Sequence, residues 1–397
     1  MTYIGNINLA NNDLGRDAWD RPKVITDKSL FHGMFTYNVP ITTWYETINN
    51  TITSGTPTNC TSSNGALKVL AGASLNDDTY LRSFRSTRYQ PNRGALYSTA
   101  GWIENPESNM TREWGMFTAE SGVFFRLKAG GELVGVIRTT ISGVTTDDEI
   151  RLNISNKIDL SKGNVYDIQY QWRGVGNYKF YINLDEVGNS NYLGTLDRLS
   201  MFNPALPVAW NSINEGDNDS MYFGCVDVTS EGGQIGGKTY ASFGINSVSG
   251  SVDISGENQP IIAVRSKPTV AGLINTRDTL ILAATWYGNQ RCVFKVWKTR
   301  DFTAITEGNS VWEDIGDGNL EGIRMATSGG TLAFDDTKAD LILNGRVNMD
   351  ETSRASFQFD SETELVLTPS DMIILTMQRE TGAVADVGCV LEFAEEI

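Results

Sequence analysis

The sequence predicts an all-β protein: two antiparallel β-sandwich domains behind an irregular N-terminal arm. Three observations carry this. Glycine is abundant, at 39 of 397 residues, and Thr, Ser and Asn are frequent, a mix that favours strands and turns over helices. Short runs of β-branched and aromatic residues recur between turn signals. The chain is also too long for one ordinary sandwich, so two domains and an arm are expected. Nine Trp, 14 Tyr and 16 Phe, with 40% hydrophobic and only 20% charged residues, support a packed core and argue against disorder.

Residues 1–60 have the texture of the arm. Asp17-Ala18-Trp19-Asp20 and Ser29-Leu30-Phe31-His32-Gly33-Met34-Phe35 are rich in aromatics but lack a helical period. Such aromatics need a surface to pack on, either within the chain or on a neighbouring subunit.

Residues 61–255 form the first block. Ala66–Leu70, Ala95–Ala100, Gly122–Leu127 and Glu132–Thr140 read as short strands. Val165–Trp172 alternates along most of its length, and Gly174-Val175-Gly176-Asn177 turns it back into Tyr178–Asn183, a hairpin with aromatics on one face. Thr239–Ile245 reads as the last strand of this block, and Gly256-Glu257-Asn258-Gln259-Pro260 as a linker. Residues 256–397 form the second, smaller sandwich. Its strand candidates are Ile261–Arg265, Thr279–Trp286, Val293–Trp297, Leu341–Leu343, Ala355–Phe359, Met372–Met377 and Val387–Phe393. No repeat at a 20–50-residue period is evident, which excludes a propeller or solenoid.

The net charge of −16 argues against nucleic-acid partners. Arg82, Arg85, Arg88 and Arg93 form the only basic group, and strand alternation splits them between two faces. Cys60, Cys225, Cys292 and Cys389 lack metal or redox spacing and read as free, buried thiols. The single histidine, His32, would have to serve any Ser-His-Asp triad, and no G-x-S-x-G elbow accompanies it. No phosphate loop occurs, and Gly174-Val175-Gly176 is a hairpin turn. The start of the chain has no signal-peptide pattern, and no apolar run approaches 18 residues, so neither secretion nor membrane insertion is expected.

Acidic groups such as Asp147-Asp148-Glu149 and Glu307 could in principle supply paired carboxylates, but spacing selects no pair, and solvated loops are expected. The loops Asn214–Asp219 and Glu313–Asn319 carry oxygen ligands that Ca²⁺ favours, yet neither completes a binding pattern, so ordinary turns are expected. Trp172, Tyr178 and Tyr181 could stack on sugars. The alternation that groups Trp172 with Tyr170 and Ile168 is more simply a core face. No catalytic, cofactor-binding or metal-ligating residue is therefore assigned, and no cofactor is expected.

Three segments in order, Leu81–Gly94 with its Arg88-Tyr89-Gln90-Pro91, Tyr170–Ile182 with its Trp172-Arg173-Gly174-Val175-Gly176, and Asn203–Asn211 with its Leu206-Pro207-Val208, resemble a family of virion structural proteins of tailed bacteriophages. Ala263-Val264-Arg265 and Asn275-Thr276-Arg277-Asp278 extend the likeness into the second domain. Two places depart from it: Asn92-Arg93-Gly94 stands where the family has G-K-S, and the Gly-rich run 230–237 replaces an N-x-G before the linker. The resemblance implies a lectin-like or jelly-roll first domain and a non-enzymatic virion protein, a capsid decoration or a head or neck appendage. It also implies a homo-oligomer, foremost a trimer, with the major capsid protein or other virion proteins as partners. A tail fibre that recognises host surface glycan is the alternative it leaves open, with a glycan-degrading tailspike behind that.

Overall fold

A computed structural model describes residues 27–396 apart from 42, 54–56, 90–92, 155–157, 173–176, 191–198, 232–237, 246–251, 255–257, 276, 289–290, 309, 316–317, 326–331, 348–353, 360–364 and 381–384. The chain is almost all β, in antiparallel sheets of the jelly-roll or lectin-like kind, as the sequence predicts. Single 3₁₀ turns occur at Phe302–Ala304 and Asp336–Lys338. The chain divides into two compact units, 1–235 and 236–397.

The strands of the first unit begin with β1 (Asp27–Met34), β2 (Trp44–Ile48), β3 (Thr51–Ile52), β4 (Cys60–Ser63), β5 (Ala66–Val69), β6 (Asp78–Thr87), β7 (Ala95–Ile103) and β8 (Met110–Phe117). They continue with β9 (Gly122–Leu127), β10 (Leu133–Ile141), β11 (Val144–Arg151), β12 (Asn164–Tyr170), β13 (Tyr178–Ile182), β14 (Asp185–Ser190), β15 (Leu206–Asn214) and β16 (Met221–Glu231). One sheet runs β14-β13-β12-β7-β16-β5-β4, with β1 also on β16; the other runs β11-β10-β9-β8-β15-β6-β2-β3.

Alternation decides which side chains meet between these sheets. Tyr166, Ile168 and Tyr170 of β12 face the interior, as do Tyr178, Phe180 and Ile182 of β13, and all are buried. From the other sheet Trp114 packs on Phe125 and Tyr166, at ring-centroid distances of 5.7 and 5.1 Å. Each such ring contributes roughly 2–3 kcal/mol of burial free energy. The hairpin read from the sequence is β12–β13, with Tyr166 opposite Ile182; its expected turn, 174–176, lies outside the described residues.

Aromatics of the expected arm pack within the chain, apart from exposed Tyr37; Trp19 lies outside the described residues. Phe31, Phe35 and Trp44 are buried in the first unit's core, and Trp44 lies 5.3 Å from Trp210. β1 and β2 carry them there as sheet members. Buried Glu46 on β2 accepts hydrogen bonds from the backbone amides of Thr58 (2.8 Å), Asn59 (2.8 Å) and Cys60 (2.7 Å), which fixes the approach to β4.

The second unit contains β17 (Lys238–Ile245), β18 (Val252–Ile254), β19 (Gln259–Ser266), β20 (Thr269–Val270), β21 (Leu273–Ile274), β22 (Thr279–Gly288), β23 (Cys292–Thr299) and β24 (Ile305–Thr306). Then come β25 (Glu313–Ile315), β26 (Leu320–Arg324), β27 (Ala333–Phe334), β28 (Asp340–Val347), β29 (Arg354–Gln358), β30 (Leu365–Leu367), β31 (Met372–Arg379) and β32 (Ala385–Glu396). The larger sheets run β17-β32-β22-β29 and β25-β26-β19-β31-β23-β28. Thr239–Ile245, read from the sequence as the end of the first block, sits in β17 and pairs with β32. Of the linker segment, Gly256 and Glu257 lie outside the described residues, and Gln259-Pro260 open β19. Trp286 stacks on Phe294 at 4.1 Å in this unit's core. Buried Asp371 is met by Lys298 at 2.8 Å and Arg300 at 2.9 Å.

Candidate functional site

The outer face of the sheet that contains β8 is unlike an ordinary solvated sheet face. Cross-strand register sets Tyr80, Asn211, Glu113 and Arg126 in one row over β6, β15, β8 and β9. The adjacent row runs Arg82, Ala209, Gly115, Phe124, Val136 and Glu149. A further row sets Phe117, Gly122, Arg138 and Asp147 side by side. Phe117, Phe124, Val134, Val136 and Ala209 form a buried apolar layer here, separate from the inter-sheet core, with Tyr80 packed against it.

Charged groups lie on this layer. Arg138 stands over the Phe124 ring at 4.8 Å and Arg126 at 5.4 Å, a cation–π geometry. Arg126 Nη2 reaches Glu113 Oε1 at 2.7 Å and Asp147 Oδ2 at 2.5 Å. Arg138 donates from Nε to Asp147 Oδ1 at 2.8 Å and from Nη2 to Oδ2 at 3.0 Å. Asn211 Nδ2 donates to Glu113 Oε2 at 3.1 Å. Lys128 and Glu149 close the row at 2.5 Å. The ladder is deep at Glu113, 3% exposed, and opens outward through Arg126 and Arg138 (15% each) to Asp147 (22%) and Glu149 (37%).

Burial alone would push the Asp147 carboxyl up, but the Arg138 and Arg126 guanidiniums outweigh it and hold it below the ordinary carboxylate range. Burial likewise pulls the Arg138 guanidinium down, and Asp147 with Glu113 brings it above its usual value. Asp147 is therefore an ionised acceptor at neutral pH. Glu113 Oε1 and Asp147 Oδ2 both touch one nitrogen, so the two distances bound their separation at about 5.2 Å.

Asp147-Asp148-Glu149, read from the sequence as a solvated loop, lies in edge strand β11, and two of its three carboxylates belong to the ladder. Glu113, Arg126 and Arg138 were not singled out by sequence reasoning; the available signal was their hairpin-length spacing on alternating strands. Trp172, Tyr178 and Tyr181 are not free to stack on sugars: both tyrosines are buried, and Trp172 donates to the Met201 carbonyl at 2.8 Å. Glu307 accepts from Trp312 Nε1 at 2.6 Å. Exposed His32 lies opposite Asp227 on β1.

In the loop Asn214–Asp219 a protein cation occupies the place among the carboxylates. The Arg112 side chain, wholly buried, donates to the Asn105 carbonyl and Ser108 and lies 4.0 Å from Asp219. Burial pulls its pKa down to about 10, against the attraction of Asp219, Glu104 and Asp217. In the loop from Glu313, Glu313 pairs with Arg324 at 3.0 Å and Asp314 with Lys267 at 2.5 Å; residues 316–317 lie outside the described residues.

No protein-family model matches the chain, and no curated protein does. Solved structures do resemble it. LamAcat from Zobellia galactanivorans is 14% identical, with 51% of this chain and 97% of that one covered at a TM-score of 0.38. β-Agarase A from the same organism is 12% identical, with 52% and 92% covered, also at 0.38. The carbohydrate recognition domain of Emp47p is 8% identical, with 52% and 97% covered at 0.36. At these identities the likeness concerns the fold. It corrects the expectation of a non-enzymatic phage virion protein, since the resembling structures include glycoside hydrolases and a carbohydrate recognition domain.

Proposed function

We propose that this protein acts on carbohydrate, holding a glycan across the outer face of the sheet β11-β10-β9-β8-β15-β6. One observation carries the reading: planar charged and amide groups, Glu113, Arg126, Arg138, Asp147 and Asn211, are fixed by one another above the Phe117–Phe124 floor. Sugar hydroxyls come in adjacent pairs that match two-pronged donors and acceptors; the buried Phe117 and Phe124 rings serve to hold those groups in place. A site that combines an apolar floor with a few convergent polar groups is what a small polar ligand needs.

Cleavage is a second reading, suggested by the two carboxylates, Glu113 and Asp147, that meet at Arg126. Their nearest oxygens lie no more than about 5.2 Å apart, the sum of their contacts to Arg126 Nη2, and retaining glycosidases use about 5–5.5 Å between carboxyl groups, so Arg126 has to leave for a sugar to come between them. Asp147 is held ionised by Arg138 and Arg126, so on this reading it is not the proton donor.

The test is calorimetric titration with β-1,3-glucan, agarose oligosaccharides and mucin O-glycans, with reducing ends assayed in parallel. Binding that is lost in Asn211→Ala and Arg126→Met supports the proposal, and reducing ends that disappear in Glu113→Gln support cleavage. Neither binding nor release by the wild-type chain would overturn it.

A further inference from the structure

The other sheet of the first unit carries an aromatic platform on its outer face. Trp102 on β7 and Tyr222 on β16 are register partners, and their rings stack at 4.9 Å with 7° between planes. Tyr222 is flanked on its far side by Lys68, its register partner on β5. On its other side the turn before β12 runs past, with the Ile103 amide donating to the Leu160 carbonyl at 2.9 Å. β12 pairs with β7 through Asn164 opposite Gly101, which sets Gly163 beside Trp102. A Cβ built on Gly163 would meet nothing within 4 Å. The Trp102 ring is thus stacked on Tyr222 on one face, and the residue as a whole is 36% exposed.

The surroundings of this ring are mixed. Val165, on the neighbouring strand β12, is 37% exposed. Asp159 and Lys162, just before β12, form an exposed ion pair at 3.4 Å. A flat apolar ligand would find no use for that charged fringe, and a charged ligand would find no use for the indole. A pyranose ring uses both, its C–H face against the indole and its hydroxyls toward Asp159 and Lys162.

We infer that Trp102 and the gap over Gly163 form a monosaccharide subsite on the sheet opposite the ionic ladder. The inference rests on the proposed carbohydrate function and adds a second place of contact, suited to a chain already held elsewhere on the protein or to a neighbouring chain.

Two variants of the full chain test it, with laminarihexaose, agarose hexasaccharide and maltohexaose as probes in calorimetric titration. Trp102→Ala removes the platform. Gly163→Val leaves the fold intact, because its Cβ meets nothing, and covers the ring face. At least one probe is expected to bind the wild-type chain, with Kd raised about tenfold or more in both variants. Unchanged Kd in both variants, with wild-type binding present, overturns the subsite and leaves the proposed function standing. No binding of any saccharide to the wild-type chain overturns both. Concentration-dependent association in sedimentation that disappears in Trp102→Ala overturns the saccharide as occupant in favour of a second copy of the chain.

Discussion

Arg138 and Asp147 meet across the β10–β11 hairpin as register partners and as a two-pronged ion pair, and Arg126 reaches the same carboxylate from β9. The edge strand is therefore tied to its neighbours by side chains as well as by its ladder. Asp147→Asn leaves two partly buried guanidiniums short of an acceptor and is expected to cost roughly 2 kcal/mol at pH 7. Because the folded state lowers the Asp147 pKa, this stability is present above the ordinary Asp value of about 3.9 and is lost as pH falls through the lower folded value. Urea unfolding of wild type and variant should differ by a constant amount from pH 5 to 7, and the difference should shrink below about pH 4.

Glu46 has no cationic partner among the described residues; its acceptors are filled by amides and hydroxyls of Thr53, Thr58, Asn59 and Cys60. Glu46→Ala orphans several donors at once and is expected to cost roughly 3 kcal/mol. Glu46→Gln keeps one acceptor oxygen and should cost less. Equal midpoints for the two variants in chemical denaturation would show that the carboxylate does not order this loop.

The four thiols should separate by reactivity. Burial pushes Cys60 and Cys389 well up, and Cys292 up to about 11, while Cys225 is exposed. With an aromatic disulfide reagent at pH 8, one thiol per chain is expected to react quickly and three only on unfolding. A Cys225→Ser chain that still shows the fast thiol would contradict this assignment.

Gly115 sits at φ +156°, and a Cβ there would lie 2.6 Å from Phe124 Cα and 2.7 Å from the Val123 carbonyl oxygen. Backbone cannot give way as a flexible side-chain tip can. Gly115→Ala is expected to destabilise the chain by roughly 2 kcal/mol or more and to loosen the Phe124 floor of the ladder. A thermal midpoint within a degree of wild type would refute the close approach.

Much of the fold was legible because alternation and turn chemistry are local signals. Gly122–Leu127 is β9 to the residue, and Val165–Trp172 with Tyr178–Asn183 locates β12–β13. Where the signal failed, charge disguised the strand. Val144–Arg151 is an edge strand with both faces partly wet, so its acidic residues looked like loop. Met110–Phe117 mixes Arg112 and Glu113 into a central strand, and partners outside the strand make that burial tolerable: Asn105, Ser108 and Asp219 for Arg112, Arg126 and Asn211 for Glu113. Within the expected arm, β1 is a sheet member that no local signal reveals, because its partner β16 lies far along the chain. The ladder itself was invisible, since its members come from hairpin strands whose register no single segment encodes.

β1 pairs with β16, and Ser29 donates to Asp227 from 198 residues away; β17 likewise pairs with the final strand β32. Each unit is thus fastened by its earliest described strand to its latest. On a ribosome working at about 5–20 residues per second, β1 waits roughly 10–40 s for its partner to emerge. During that interval the aromatics Phe31, Phe35 and Trp44 have no finished core to enter. The nascent chain is therefore a natural client for holdase chaperones. A ribosome stalled before residue 221 should leave the first unit open to protease, and one stalled with β16 outside the exit tunnel should leave it closed.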